Sequence, residues 1–302
     1  MLWMCVALTL IASDPPTPTS APTPAPTPAP TAPPTSASAA PPSVRDDAEN
    51  GPRAILEPRS RTDAWWVHRH ESFNRRAREG AERGDIDLIF LGDSITQGWE
   101  GAGKAVWEKH FVPRRAVNFG IGADRTQHVL YRIRNGNLDA LAAPRSGAAP
   151  RLLVLLIGTN NTSGNDEVQA EEPATIDAGV RLIVREVRQR LPSTHILVLA
   201  VFPRGVSADS PRPLTRPQQE SVRKLNERLS TIATDAAAAG DHNVSFLDIS
   251  SHLLEPDGSI SKAVMPDALH LSEEGYERWA SAILPDIDRI LTPDPHAPAA
   301  PR

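Results

Sequence analysis

The chain is predicted to be an α/β protein built on one parallel sheet, and three observations carry that prediction. Five short apolar runs, at 87–91, 116–119, 152–157, 195–201 and 244–247, lack the alternation of a half-exposed strand, as strands buried on both faces do. Segments with helical spacing separate them. Glycine or polar residues follow the first three runs, which suits strands whose carboxyl ends meet loops on one rim.

The elements follow in order. Trp65 and Trp66 open a charged helical stretch that ends near Gly84. The first run enters Gly92-Asp93-Ser94, the second enters Gly120, and the third enters Gly158-Thr159-Asn160. Ile176, Val180, Ile183, Val184, Val187 and Leu191 recur at helical spacing. Val222, Leu225, Leu229 and Ile232 do the same, with Thr215 as the expected N-cap and Gly240 as the stop. The last helix carries Tyr276, Trp279, Ile283, Ile287 and Ile290 behind Ser272 as N-cap. Strands alternating with helices imply helices on both faces of the sheet. Aromatics make up 5% of the chain, so an aliphatic core is expected.

Outside this region the composition changes. Many of the 30 prolines stand before residue 43, and proline both fixes φ and removes a donor, so 14–59 is expected to be a disordered Pro/Thr/Ala-rich linker. The apolar run 1–13 is too short to span a bilayer and has the character of a signal peptide, so a secreted or envelope location is expected. The N-terminal segment would then provide any envelope attachment. The globular domain is assigned to 60–291 and a frayed tail to 292–302. Cys5 is the single cysteine, which excludes a disulfide framework and a cysteine-based zinc site. The net charge of −5 comes without a basic stripe, so nucleic acid is not an expected partner.

The chemistry is expected at four places. Ser94 stands where a buried strand turns into a helix, beside free backbone N–H groups. A serine alkoxide at neutral pH needs a base, and His270 can serve, with Asp267 three residues earlier to fix its tautomer. The Ser94 N–H, the Gly120 N–H and the Asn160 amide are candidate donors to an oxyanion. Asp93, Asp124 and Asn161 are candidate pocket residues. His68, His70 and Glu71 look like metal ligands, but i and i+2 on a helix point apart, so no metal is expected. Trp65 and Trp66 are expected to pack against the sheet edge, with sugar stacking as the other use of an exposed indole.

Gly92-Asp93-Ser94-Ile95, Asn118-Phe119-Gly120-Ile121-Gly122-Ala123-Asp124, Gly158-Thr159-Asn160-Asn161 and Asp267-Ala268-Leu269-His270-Leu271 occur in that order. Together they resemble the four blocks of the SGNH, or GDSL, hydrolases, most of all the catalytic subunits of platelet-activating-factor acetylhydrolase and their bacterial relatives. The resemblance spans about 60–291. It implies a flavodoxin-like three-layer α/β/α sandwich and a serine esterase without cofactor. In that family the first block gives the nucleophile, the second and third give oxyanion donors, and the last gives the base and its carboxylate. Ile95 departs from the family's leucine, and Asn161 stands where many members have aspartate.

These observations lead to acyl-ester hydrolysis through an acyl-enzyme. An acetylated carbohydrate is the first expected substrate and a phospholipid or platelet-activating-factor-like ester the second. A non-catalytic binding module on a stalk is the alternative of another class. A homodimer is left open.

Overall fold

A computed structural model describes residues 56–163, 170–205 and 216–292. The expected leader, nearly all of the linker, Thr215 and the tail from 293 lie outside them. Arg59, assigned to the linker, is tied down: its N–H donates to the Gln127 carbonyl at 3.1 Å.

The elements are α1 (Ala64–Arg83), β1 (Leu88–Gly92), α2 (Ser94–Gln97), α3 (Lys104–His110), β2 (Ala116–Gly120), α4 (Thr126–Arg132), α5 (Asp139–Ala142), β3 (Leu152–Leu156), α6 (Pro173–Arg190), β4 (His195–Leu199), α7 (Arg216–Leu229), α8 (Ile232–Ala238), β5 (Val244–Leu247), α9 (Ser250–Leu253) and α10 (Glu273–Leu291). The five strands are all parallel, in the order β2-β1-β3-β4-β5. That is the flavodoxin-like order, with its switch point between β1 and β3.

The sheet has two cores because strand side chains alternate between faces. Ile89, Leu91, Leu153, Leu155, Ile196 and Val198 pack under α1, α4, α6 and α7. Leu88, Phe90, Leu152, Val154, Leu197 and Leu199 pack under α3, α9 and α10. The expectation of an aliphatic core holds for the first face only. On the second face Phe90, Trp99, Trp107, Phe111, Phe202, Tyr276 and Trp279 form a contiguous aromatic cluster, with ring centroids 4.4–6.1 Å apart at neighbouring contacts. A low aromatic fraction says nothing about how aromatics are shared between faces.

The helix ends follow local chemistry. Asp63 caps α1 by accepting the Trp66 N–H, and Gly84 closes it in the left-handed region at φ 66°. Ser272 caps α10 by accepting the Gly275 N–H. The helix expected to run on to Gly240 is instead broken between α7 and α8. There the Ser230 hydroxyl donates to the Glu227 carbonyl, and Arg181 of α6 donates to both the Arg228 carbonyl and the Thr231 hydroxyl. Side chains that bond the backbone locally compete with helix propagation.

Candidate active site

Gly92 ends β1 where no side chain fits. A Cβ there would lie 2.3 Å from the Leu156 carbonyl oxygen and 2.2 Å from Thr96 Oγ1. Asp93 then caps the short α2 by accepting the Ile95 N–H at 2.9 Å, and Ser94 becomes its first residue. The α2 turn is pinned within the second core, where the Tyr276 hydroxyl donates to the Ile95 carbonyl at 2.6 Å.

Ser94 Oγ lies 3.0 Å from His270 Nε2, although 176 positions separate them in the chain. His270 Nδ1 lies 2.7 Å from Asp267 Oδ2. The other carboxylate oxygen, Oδ1, accepts the backbone N–H groups of Leu269 (3.0 Å) and His270 (2.7 Å). One carboxylate therefore shapes the loop and orients the ring that the loop carries. Ala268 completes the turn at φ 59°. Burial pushes the Asp267 carboxyl up, but the His270 ring, the two backbone donors and the His270 charge together hold it below the usual carboxylate range. An ionised Asp267 accepts from Nδ1–H, and in the neutral ring that tautomer presents Nε2 as the acceptor toward the Ser94 hydroxyl. That is the arrangement of a nucleophile, its base and the group that orients the base.

The structure corrects the expectation for Gly120. β2 is an edge strand, and its outward N–H groups do not reach β1. The Gly120 N–H donates to Asn118 Oδ1 at 2.9 Å and is not free for a substrate oxygen. Gly120 is required for packing instead, since a Cβ would lie 2.3 Å from the Gln97 nitrogen of α2. Three residues on, Ala123 stands in the left-handed region at φ 61°. Among the described residues its N–H has no hydrogen-bond partner. A Cβ built on neighbouring Gly122 would lie 3.8 Å from Ser94 Cβ, so this loop runs beside the nucleophile. Ala123 lies in the same sequence block, but nothing in the sequence singled it out over Gly120; its structural signal is an L-residue at positive φ, which costs roughly 1–2 kcal/mol and persists where surroundings impose it. Asn160 Nδ2 donates to the Asp124 carbonyl at 2.9 Å, which fixes the amide and leaves its second N–H for a ligand.

The three expected pocket residues are framework. Asp93, Asp124 and Asn161 are all essentially inaccessible. Asp124 accepts from Trp66 Nε1 at 2.7 Å and from Arg132 Nε at 2.8 Å. Burial pushes its carboxyl up and the Arg132 guanidinium down, while their mutual attraction opposes both changes. Asn161 accepts the Thr126 N–H at 3.1 Å and donates to Thr126 Oγ1, Gln127 Oε1 and Glu171 Oε2. His70 is buried against Trp66 and lies 3.2 Å from Asn137 Nδ2, and burial lowers its pKa to about 4. His68 is exposed. Trp66 packs as expected, but Trp65 does not: it is 50% exposed.

A cleft of about 940 Å³ opens between α7 and the 258–268 segment, with Met265, Pro266 and Ala268 in its wall. Neither Ser94 nor His270 lines it, so it lies behind the base-bearing loop rather than in front of the nucleophile.

A nucleophile–base–carboxylate relay at the carboxyl edge of a parallel sheet defines the class, a serine hydrolase. Comparison with known proteins narrows it. The GDSL-like lipase/acylhydrolase family matches residues 90–278, and the chain belongs to that family; it is a serine ester hydrolase. It is 33% identical over 239 residues to the platelet-activating factor acetylhydrolase IB subunit alpha1 of Bos taurus, spanning 79% of this chain and 89% of that one. The alpha2 subunit of Rattus norvegicus is 33% identical over 233 residues, with 77% and 88% covered. Among solved structures, a GDSL-like lipase from Bacteroides thetaiotaomicron shares the fold with a TM-score of 0.54 at 19% identity, over 74% of this chain and 100% of that one. An acetyl xylan esterase does so with a TM-score of 0.51 at 16% identity, over 67% and 100%.

Proposed function

We propose that the protein hydrolyses short acyl esters, acetyl esters first, with Ser94 as nucleophile, His270 as base and Asp267 as the group that orients it. The observation that carries this reading is the 3.0 Å and 2.7 Å relay from Ser94 through His270 to Asp267. His270 Nε2 takes the Ser94 proton as Oγ bonds to the acyl carbon. The oxyanion so formed is met by the Ser94 N–H, the Ala123 N–H and the Asn160 side-chain amide, the last held by its bond to the Asp124 carbonyl. Donors fixed in advance need not reorganise as charge develops. The alcohol leaves with the proton from His270. Water then gives a proton to the same nitrogen as its oxygen bonds to the acyl carbon; the bond from that carbon to Ser94 Oγ breaks, His270 returns the proton to Oγ, and the carboxylic acid leaves.

An acetylated carbohydrate is the first substrate reading, supported by the exposed indole and polar side chains beside Ser94. A platelet-activating-factor-like phospholipid ester is the second, supported by the names of the relatives at 33% identity. An exported location accompanies the first reading, on the strength of the apolar run 1–13 and the Pro/Thr-rich segment behind it. Cell fractionation tests that location.

The activity is tested with p-nitrophenyl acetate and a fluorophosphonate probe. Turnover and labelling that both vanish in Ser94→Ala are expected. A folded wild-type protein that neither turns over nor labels would leave a binding module. A panel of acetylated sugars against acetylated lysophospholipids separates the two substrate readings.

A further inference from the structure

Trp65 is an indole half open to solvent on a protein that buries Trp66, Trp99 and Trp279 almost completely. Its place is specific. A methyl group built on Gly122 would lie 3.8 Å from the edge of the Trp65 ring, at Cη2, and 3.8 Å from Ser94 Cβ. The indole edge and the nucleophile-bearing carbon are therefore no more than twice that distance apart, across a glycine that contributes no side chain.

The indole is also held on rigid backbone. Arg61, just before α1, donates to the Gly122 carbonyl at 2.6 Å. Arg69, one turn on, donates to the Gly120 carbonyl at 2.8 Å and pairs with Glu100 at 2.7 Å. Trp66 is bonded to Asp124 of the same loop. The start of α1 is thus stapled to the loop that carries Ala123, and Trp65 stands on that joint. Gly122 does not have positive φ, and the atoms nearest to a Cβ there would be Gln97 Oε1 at 3.3 Å and the two groups already named. Its lack of a side chain leaves a floor open between the ring and Ser94.

We propose that Trp65 determines specificity for the alcohol half of the ester, as a platform on which a pyranoside ring lies across Gly122. The proposal rests on the acetyl-ester reading above. An acetyl group ends one bond beyond the carbonyl carbon, so only the alcohol half is long enough to reach the indole. A pyranose offers an apolar C–H face to the ring and hydroxyls to the polar rim of Gln97, Arg61 and Glu100. These three rim side chains are polar, which suits the hydroxyls of a sugar better than a lipid chain. A rigid aromatic provides contact area at small entropy cost.

The test compares acetylated xylobiose with ethyl acetate, whose alcohol is too small to stack. Trp65→Ala should lower kcat/KM for the sugar ester relative to ethyl acetate by about tenfold, or about 1.4 kcal/mol, through KM rather than kcat. Trp65→Tyr should restore most of the ratio. The ratio should not change when acetyl is replaced by butanoyl on the same alcohol. A second arm does not need turnover: in Ser94→Ala protein, acetylated xylobiose should quench indole fluorescence, and the quench should be lost in Ser94→Ala/Trp65→Phe. An unchanged selectivity ratio, an effect that follows the acyl chain, or a quench that survives without Trp65 would each overturn the platform. If wild type fails on ethyl acetate and with the fluorophosphonate, the esterase reading has failed, and the fluorescence arm still decides for or against stacking.

Discussion

Replacing Asp93 with asparagine should flatten the pH dependence of stability between about pH 4 and pH 7. Asp93 is 1% exposed, with Oδ1 occupied by the Ile95 N–H and Oδ2 unpartnered among the described residues. Burial pushes its carboxyl from 3.8 to about 7; the Asp124 charge adds to the rise, while the Ile95 N–H and Arg204 oppose it. Between those values the folded protein holds a proton that the unfolded chain has released, so ionisation works against the fold. The penalty is absent below about pH 4, where both states are protonated, and complete above about pH 7, where both are ionised. At about 1.36 kcal/mol per pKa unit the rise amounts to about 4 kcal/mol. The introduced asparagine would carry no charge at any pH, but its NH2 group would inherit the unpartnered position at a fixed cost of about 1–3 kcal/mol. The unfolding free energy of Asp93→Asn minus that of wild type should therefore rise by about 4 kcal/mol from pH 4 to pH 8, whatever the fixed offset. Urea denaturation of both proteins across that range measures it, and titrating groups not coupled to Asp93 cancel in the difference. Two parallel curves would refute the reasoning.

Three further outcomes follow from the site. Asn160→Ala should lower kcat by about 10²–10³ with little change in the urea midpoint; a twofold loss would remove the amide from the oxyanion donors. Ala123→Gly should keep activity and raise stability by about 0.5–1 kcal/mol, because glycine adopts φ 61° without strain; a loss of activity with unchanged folding would show that the Ala123 side chain itself matters. Asp124→Asn should cost about 3–5 kcal/mol in denaturant titrations, because it leaves Arg132 charged and buried, whereas the paired swap Asp124→Leu/Arg132→Met should recover much of that stability; equal midpoints for the single and paired variants would count against a buried ion pair.

What was legible in the sequence divides along a physical line. The strands were readable because burial on both faces selects continuous apolar runs, and Leu88 to Leu91 or Leu152 to Leu156 admit little else. Ser94, Asp267 and His270 were readable because a nucleophile, a base and a carboxylate are rare residue types for a loop to hold in fixed order. The oxyanion donor was not readable, since every residue but proline has an N–H. Which one faces the substrate depends on strand alternation at an open edge, and that moved the candidate from Gly120 to Ala123. Asp124 and Asn161 misled for a related reason. A polar residue after a strand looks the same whether it faces solvent or, as here, is fully enclosed by partners contributed from α1, α4 and Glu171. The break between α7 and α8 has a faint local mark in Ser230 and Thr231, but its other support, Arg181, belongs to a different helix and leaves none.

The buried Asp124–Arg132 pair explains why this edge of the sheet is built expensively. Replacing such a pair by apolar side chains is often neutral or stabilising, so stability alone does not account for it. Its contacts give another reason. Arg132 donates to the Gly92 carbonyl at 3.1 Å, to the Phe119 carbonyl at 2.9 Å and to Asp124 at 2.8 Å. One guanidinium thus spans the end of β1 two residues before Ser94, the end of β2, and the residue after Ala123. Asp124 in turn holds Trp66 through its carboxylate and Asn160 through its carbonyl. The pair connects the backbone of Ser94, both further proposed oxyanion donors and the helix that carries Trp65. A ridge of planar, directional hydrogen bonds fixes such distances in a way that interchangeable methyl groups cannot, and catalysis by preorganised donors depends on distance before it depends on stability.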